Sequence, residues 1–268
     1  MNSESYIPQT AHVKNLLRSI WQTGGASAFK TETIIPMGNI EIIFNFSDEP
    51  PIQAALGNKQ FQLPKCFING FNTMPVKIQL PDKHILLGVQ LHPVAVKQLL
   101  GIPASEFADI LVDLSLVDRS FNTLWNDLAN KQSFDEKVSI IVNWLQSKLV
   151  NVQPREVFIN NFLINELKQN ISVPGLAKTV CYSTRQLSRK MMELTNLNTE
   201  DVLLYKKYLR AVHLIQHSNQ SLTDIAYDSH FADQSHFIKT FRSFTQLTPA
   251  QYRQSKSPLQ GHIFEHVR

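Results

Sequence analysis

The sequence predicts an α+β N-terminal domain, an antiparallel sheet or small β-barrel followed by helices, and then an all-α C-terminal domain with two helix-turn-helix units. Three observations predict it. Short runs rich in Ile, Val and Phe, broken by Pro, Gly, Asn and Asp, are confined to the first half; apolar residues at helical spacing fill the second; and one pattern of short helix, tight turn and capped helix occurs twice near the end. The length of 268 residues suits two domains, each with its own core.

Strands are expected over 30–36, 39–46, 65–70, 76–80 and 84–91, with a turn at Pro36, Met37, Gly38 and Asn39. After Pro93 the run VAVKQLL takes helical spacing and stops at Gly101. Helices are expected over 120–130 and 134–150, on the apolar positions Phe121, Leu124, Leu128 and Val138, Ile141, Leu145, Leu149. Strands grouped before helices, rather than alternating with them, favour an antiparallel sheet. The domain division is therefore 1–150, a polar linker 151–156 containing Pro154, a second domain 157–254 and a C-terminal tail 255–268.

Charge separates the two parts. Residues 1–150 carry 12 Lys+Arg against 13 Asp+Glu, whereas residues 151–268 carry 14 against 9 and six of the nine histidines. With 43% hydrophobic and 18% charged residues the composition is globular, which excludes collagen-like and low-complexity classes. No apolar run approaches the roughly 18 residues of a membrane span, so no membrane partner is expected. The first residues, MNSESYIPQT, lack the basic and apolar regions of a signal peptide, and Cys66 and Cys181 make no disulfide framework; a cytoplasmic location is expected.

Within 171–196, Ser183 caps the second of two short helices across a turn at Cys181 and Tyr182, and Gln186 completes a capping box. Leu187, Met191 and Leu194 fall on one face of that helix, with Arg185, Ser188 and Arg189 opposite. The arrangement returns in 221–245: Leu222, Ile225 and Ala226 line the first helix, Asp233 caps the second, and Phe237, Phe241 and Phe244 face inward while Ser235, His236, Lys239 and Arg242 project outward. Between them, 199–218 has two apolar rows, as a helix packed between two units would. Thr248, Pro249 and Gln251 start one more helix.

The stretches LAKTVCYSTRQLSRKM, YKKYLRAVHLIQHS and above all SLTDIAYDSHFADQSHFIKTFRSFTQLTPAQYR resemble the C-terminal DNA-binding domain of AraC-type transcriptional regulators, over roughly 157–254. The resemblance implies double-stranded DNA as partner. It implies base reading by Arg185, Ser188 and Arg189 from the first recognition helix and by Gln234, Ser235, His236 and Lys239 from the second, with phosphate contacts from Thr184 and Arg242. Asn196, His230 and Gln246 stand where that family usually has Gly, at helix ends suited to a left-handed residue.

More loosely, IIPMGNIEIIFNF and the stretch from His84 to Val117 resemble the N-terminal, presumed sensor domain of a branch of the same family, which implies a small-molecule effector, a homodimer through this domain, or both. Its ligand-binding residues stay unassigned. No catalytic grouping, metal site or cofactor motif is expected: His84 and His92 stand eight apart and read as surface or cap residues, Cys66 as buried filler, and Glu41 as an outward strand position or a pocket carboxylate, alternation favouring the first. The expected function is a DNA-binding, non-enzymatic transcriptional regulator responsive to a small molecule. The alternative is a DNA-tethered protein-interaction module without such a ligand.

Overall fold

A computed structural model describes residues 2–47, 51–148, 154–165 and 169–266. The N-terminal part begins with β1 (Asn2–Tyr6), α1 (Ala11–Lys14), β2 (Leu17–Ala26), β3 (Phe29–Ile34), β4 (Ile40–Asn45), β5 (Gln53–Leu56) and β6 (Lys59–Gln62). It continues with β7 (Cys66–Asn69), β8 (Val76–Gln79), β9 (Lys83–Leu91), α2 (Pro93–Leu100), a 3-10 turn (Ala104–Phe107), β10 (Leu111–Asp113), α3 (Leu114–Val117), α4 (Ser120–Ala129) and α5 (Phe134–Lys148). Each of the five expected strands and the three expected helices is present, with described ends that fall within two residues of those expected; residues 149–153, including the end of the third helix as expected and the first half of the expected linker, lie outside the described residues.

The strands form two antiparallel sheets, β1-β2-β9-β4-β7-β10 and β11-β3-β8-β5-β6, where β11 is His262–His266. The period of two explains their packing. In β4, Ile43 joins Phe67 and Leu86 against Ala54, Leu56, Val76 and Ile78 of the second sheet. Its neighbours Ile40, Ile42 and Phe44 point the other way, into a cluster that holds Leu99 of α2, Leu124 and Leu128 of α4 and Ile141 and Leu145 of α5. Both faces of β4 are therefore covered. Glu41, which shares the Ile43 face, is turned between the sheets and accepts hydrogen bonds from Trp21 Nε1 (3.1 Å) and Gln90 Nε2 (2.7 Å), so the outward reading of this carboxylate gives way to an inward one. Gly88 is glycine for a visible reason: a Cβ there would stand 2.1 Å from the Trp21 ring.

His84 and His92 are also inside, 1% and 3% exposed, rather than at the surface, while His92 does stand at the N-cap position of α2, its ring making no cap bond. Among the described residues no group of three or more His, Cys, Asp or Glu is placed to hold a metal ion. Burial pushes the Cys66 thiol well up, and Asp113 adds to the shift, the opposite of an activated nucleophile.

The C-terminal part is helical: α6 (Pro154–Ile164), α7 (Val173–Thr179), α8 (Thr184–Thr195), α9 (Thr199–His217), α10 (Leu222–Asp228), α11 (Gln234–Thr245) and α12 (Pro249–Ser255). Pro154, Arg155 and Glu156 of the expected linker already belong to α6. Within the stretch expected as a tail, β11 pairs with β3 and becomes an edge of the second sheet. The two parts share one core. The cluster under the first sheet runs on through Tyr205, Tyr208, Ala211 and Ile215 of α9 to Phe237 and Phe241 of α11. Tyr208 Oη donates to the Pro36 carbonyl (2.9 Å), Tyr205 Oη donates to the Asn72 carbonyl (3.2 Å), and Phe71 packs on the Tyr205 ring at 4.9 Å.

Candidate nucleic-acid interface

The residues expected to meet DNA lie on α8 and α11, and the local sequence builds both helices in the same way. Each follows a short helix and a turn containing a left-handed residue, Cys181 (φ 55°) before α8 and His230 (φ 63°) before α11. The turn closes when the next residue bonds back: Tyr182 N to the Ala177 carbonyl and Phe231 N to the Ala226 carbonyl, both 3.0 Å. Ser183 caps α8 in a full capping box with Gln186, and Asp233 caps α11 by accepting from His236 N at 2.8 Å.

At the far ends, Asn196 and Gln246 take left-handed conformations (φ 60° and 62°), as expected for positions where glycine is usual. Thr195 and Thr245 precede them, and each buried hydroxyl donates to the carbonyl four residues back and accepts from the N–H two residues on. Cap, end and threonine recur fifty residues apart. The two units are one device built twice, joined by the 19 residues of α9.

Packing fixes which face is left free. In α8, Leu187, Met191 and Leu194 are buried with Leu176 and Ala177 of α7, Val202 of α9 and Val94 of α2. Lys190 reaches Glu156 of α6 (2.9 Å) and Glu193 of its own helix (3.5 Å), and Glu193 reaches Lys97 of α2 (2.8 Å). Burial weighs against the charge on Lys190, yet these carboxylates hold its pKa above the ordinary lysine value. The free face carries Thr184, Arg185, Ser188 and Arg189 along one side of an open concavity, as the sequence places them.

In α11, Phe237 and Phe241 are buried, and Phe244 packs on Tyr208 and Tyr205 at 4.8 and 5.0 Å. Ser235, Lys239 and Arg242 share a second open concavity, and Gln234 is exposed at the first turn. His236 stands apart from that group: it is half-buried and its ring meets Phe231 edge-on at 5.4 Å. Sequence reasoning missed two side chains that the structure places on these faces, Met192 beside Arg189 and Ile238 beside Lys239, 46% and 38% exposed. Their apolar character reads as core. The spacing i, i+3, i+4, i+7 from Arg185 reaches Met192, and the same spacing from Ser235 reaches Ile238, Lys239 and Arg242, so the signal was present.

Chemically, each face offers cations and hydrogen-bond donors, with Glu200 of α9 the one carboxylate lining either concavity among the described residues. That suits a polyanion whose groove admits an α-helix.

The profile of a family described as a helix-turn-helix domain matches residues 176–255, and that of a domain of unknown function, DUF6597, matches residues 5–113. The chain is similar to the HTH-type transcriptional activator RhaS of Escherichia coli, 30% identical over 112 residues that make up 42% of this chain and 40% of the relative. It thus spans less than half the length of the curated relatives it matches. Among solved structures it is similar to ToxT of Vibrio cholerae O395 (12% identity, TM-score 0.47, covering 88% of this chain and 97% of the other). It is also similar to a regulator with an AraC-type DNA-binding domain from Chromobacterium violaceum (26% identity, TM-score 0.32, covering 33% and 79%).

Proposed function

The C-terminal domain of this chain belongs to the AraC-type helix-turn-helix family, and from that premise we infer that the protein is a sequence-specific transcriptional regulator docking α8 and α11 on one duplex. The observation that carries the reading is the repetition: two capped helices, fifty residues apart, each held by its apolar side and presenting a basic, hydrogen-bonding side. Arg185, Ser188 and Arg189 read bases from the first unit, and Gln234, Ser235, His236 and Lys239 from the second. Thr184 and Arg242 hold phosphates. Arg189 and Lys239 suit guanine O6 and N7, and Gln234 suits adenine. Because the two faces differ in residue and charge, the binding site is asymmetric.

Footprinting of the full chain on a duplex selected from random DNA tests this. The expected pattern is two protected major-groove segments on one side of the duplex, about 34 Å apart. A single protected segment would overturn the two-helix mode.

Small-molecule control through the N-terminal sheets is the finer part of the proposal. It is supported by the shared core and by the Lys97–Glu193 pair, which ties α2 directly to the first recognition helix. A metabolite that binds only the folded chain raises its melting temperature. A true effector then changes operator affinity by roughly 5- to 150-fold, and operator DNA changes effector affinity by the same factor. If no metabolite in a thermal-shift screen moves the melting temperature, the reading of a DNA-tethered interaction module replaces the sensor.

A further inference from the structure

Ile238 is an aliphatic side chain set into a polar, cationic surface. It shares one open concavity with Ser235, Lys239, Arg242 and Ser243 and is 38% exposed. The core has no claim on it, since the apolar side of α11 is supplied by Phe237, Phe241 and Phe244, which pack on Phe231, Tyr205, Tyr208 and Tyr252. The equivalent residue of the first unit, fifty positions earlier, is Ser188. A single exposed isoleucine elsewhere on a surface calls for no explanation. Here it lies in the middle of the face that the proposed docking turns towards base edges, beside Lys239 and one turn from Arg242.

The major groove offers one apolar group, the C5 methyl of thymine, and the remaining base-edge groups are polar donors and acceptors. A β-branched side chain in a helix is held to one dominant χ1 rotamer, so Ile238 meets that methyl without first being ordered. We propose that Ile238 is a specificity-determining residue that selects thymine, through its methyl group, at one position of the half-site bound by α11. The inference rests on the DNA-binding reading above and adds to it the identity of a base.

The test uses the full chain and its duplex selected from random DNA, with each thymine of the α11 half-site replaced in turn by deoxyuridine, which differs only in lacking the methyl. At one position the replacement should weaken binding roughly fourfold, the worth of one buried methyl-sized group. Ile238→Ala should bind the thymine duplex roughly fourfold more weakly than the unaltered chain does and should no longer distinguish it from the deoxyuridine duplex at that position. If no replacement weakens binding, or if the penalty persists in Ile238→Ala, the assignment of Ile238 is wrong while the DNA-binding reading stands. If the full chain selects no duplex at all, the DNA-binding reading itself fails, and the assignment with it.

Discussion

Arg189 and Arg242 are both exposed arginines on recognition helices, yet their proposed roles predict different losses. Arg189→Ala removes a bidentate base contact and should cost roughly 1–3 kcal/mol on the selected duplex while relaxing preference at one position. Arg242→Ala should weaken all duplexes alike and lower the salt slope by about 1. Titrations on selected and random DNA at several salt concentrations check both, and equal losses on both duplexes for Arg189→Ala would remove it from base readout. His92 supplies a prediction of another kind. Its Nε2 bonds the Lys14 carbonyl at 2.9 Å, and burial, partly opposed by that bond, lowers its pKa to about 4. Unfolded, a histidine titrates near 6.5. Between these values the unfolded chain takes up a proton that the folded chain refuses, so stability falls as pH drops from about 6.5 to about 4, by roughly 3 kcal/mol from this residue. His84, lowered in the same direction by burial, adds to the decline. His92→Gln keeps a donor for Lys14 and does not titrate, so denaturant melts between pH 4.5 and 7.5 should show a shallower loss in the variant; an unchanged slope would refute the assignment.

At the scale of the element, the helices ended by left-handed non-glycine residues carry strain that can be measured. Gln246 sits at φ 62° after α11, a conformation that costs an ordinary L-residue roughly 1–2 kcal/mol. Gln246→Gly should raise the melting temperature by about 2–4 °C per kcal/mol relieved, and Asn196→Gly should do less because Asn tolerates this region. The sequence spelled out these helix ends well, since caps and turns are local chemistry: Ser183 with Gln186, Asp233, and Thr248 with Gln251 and Pro249 are all found as read. Elements whose reason is distant were illegible. β2 holds two adjacent glycines and a register shift between Leu17 and Ser19 that breaks alternation, and its Trp21 is explained by distant partners, Gly88 under its ring and Glu41 at its Nε1. β11 is five residues that form a strand because the edge of β3 is there to receive them. The burial of His84 and His92 is likewise set by the sheets and helices around them. The two faces proposed to read bases are written in the sequence as polar patterns, and Ile238 and Met192, apolar by type, join them only through their exposure.

For the whole molecule, the decisive fact is that the core does not divide where the charge does. Tyr205 and Tyr208 are buried with side chains from both parts, and Val94 of α2 completes the cluster under α8. The full chain is therefore expected to unfold in a single cooperative transition, and a polar change at the seam such as Ile263→Asp, which buries a charge where a residue now 8% exposed packs into the shared core, should lower that one transition as a whole. Calorimetry showing two separate peaks would contradict it. Across the seam, the Lys97–Glu193 pair also joins α2 to α8. The pairing of β11 with β3 has a consequence for biosynthesis. Glu32 and His262, bonded at 2.5 Å, are 230 residues apart, so the entire DNA-binding part is a loop between two neighbouring strands of one sheet. On a ribosome the second sheet must wait, its edge open, until the last residues of β11 have left the exit tunnel. The helices α8 and α11 are then made before the sheet that receives β11 is finished, so the helical part leaves the ribosome ahead of the strand that ties it back to β3.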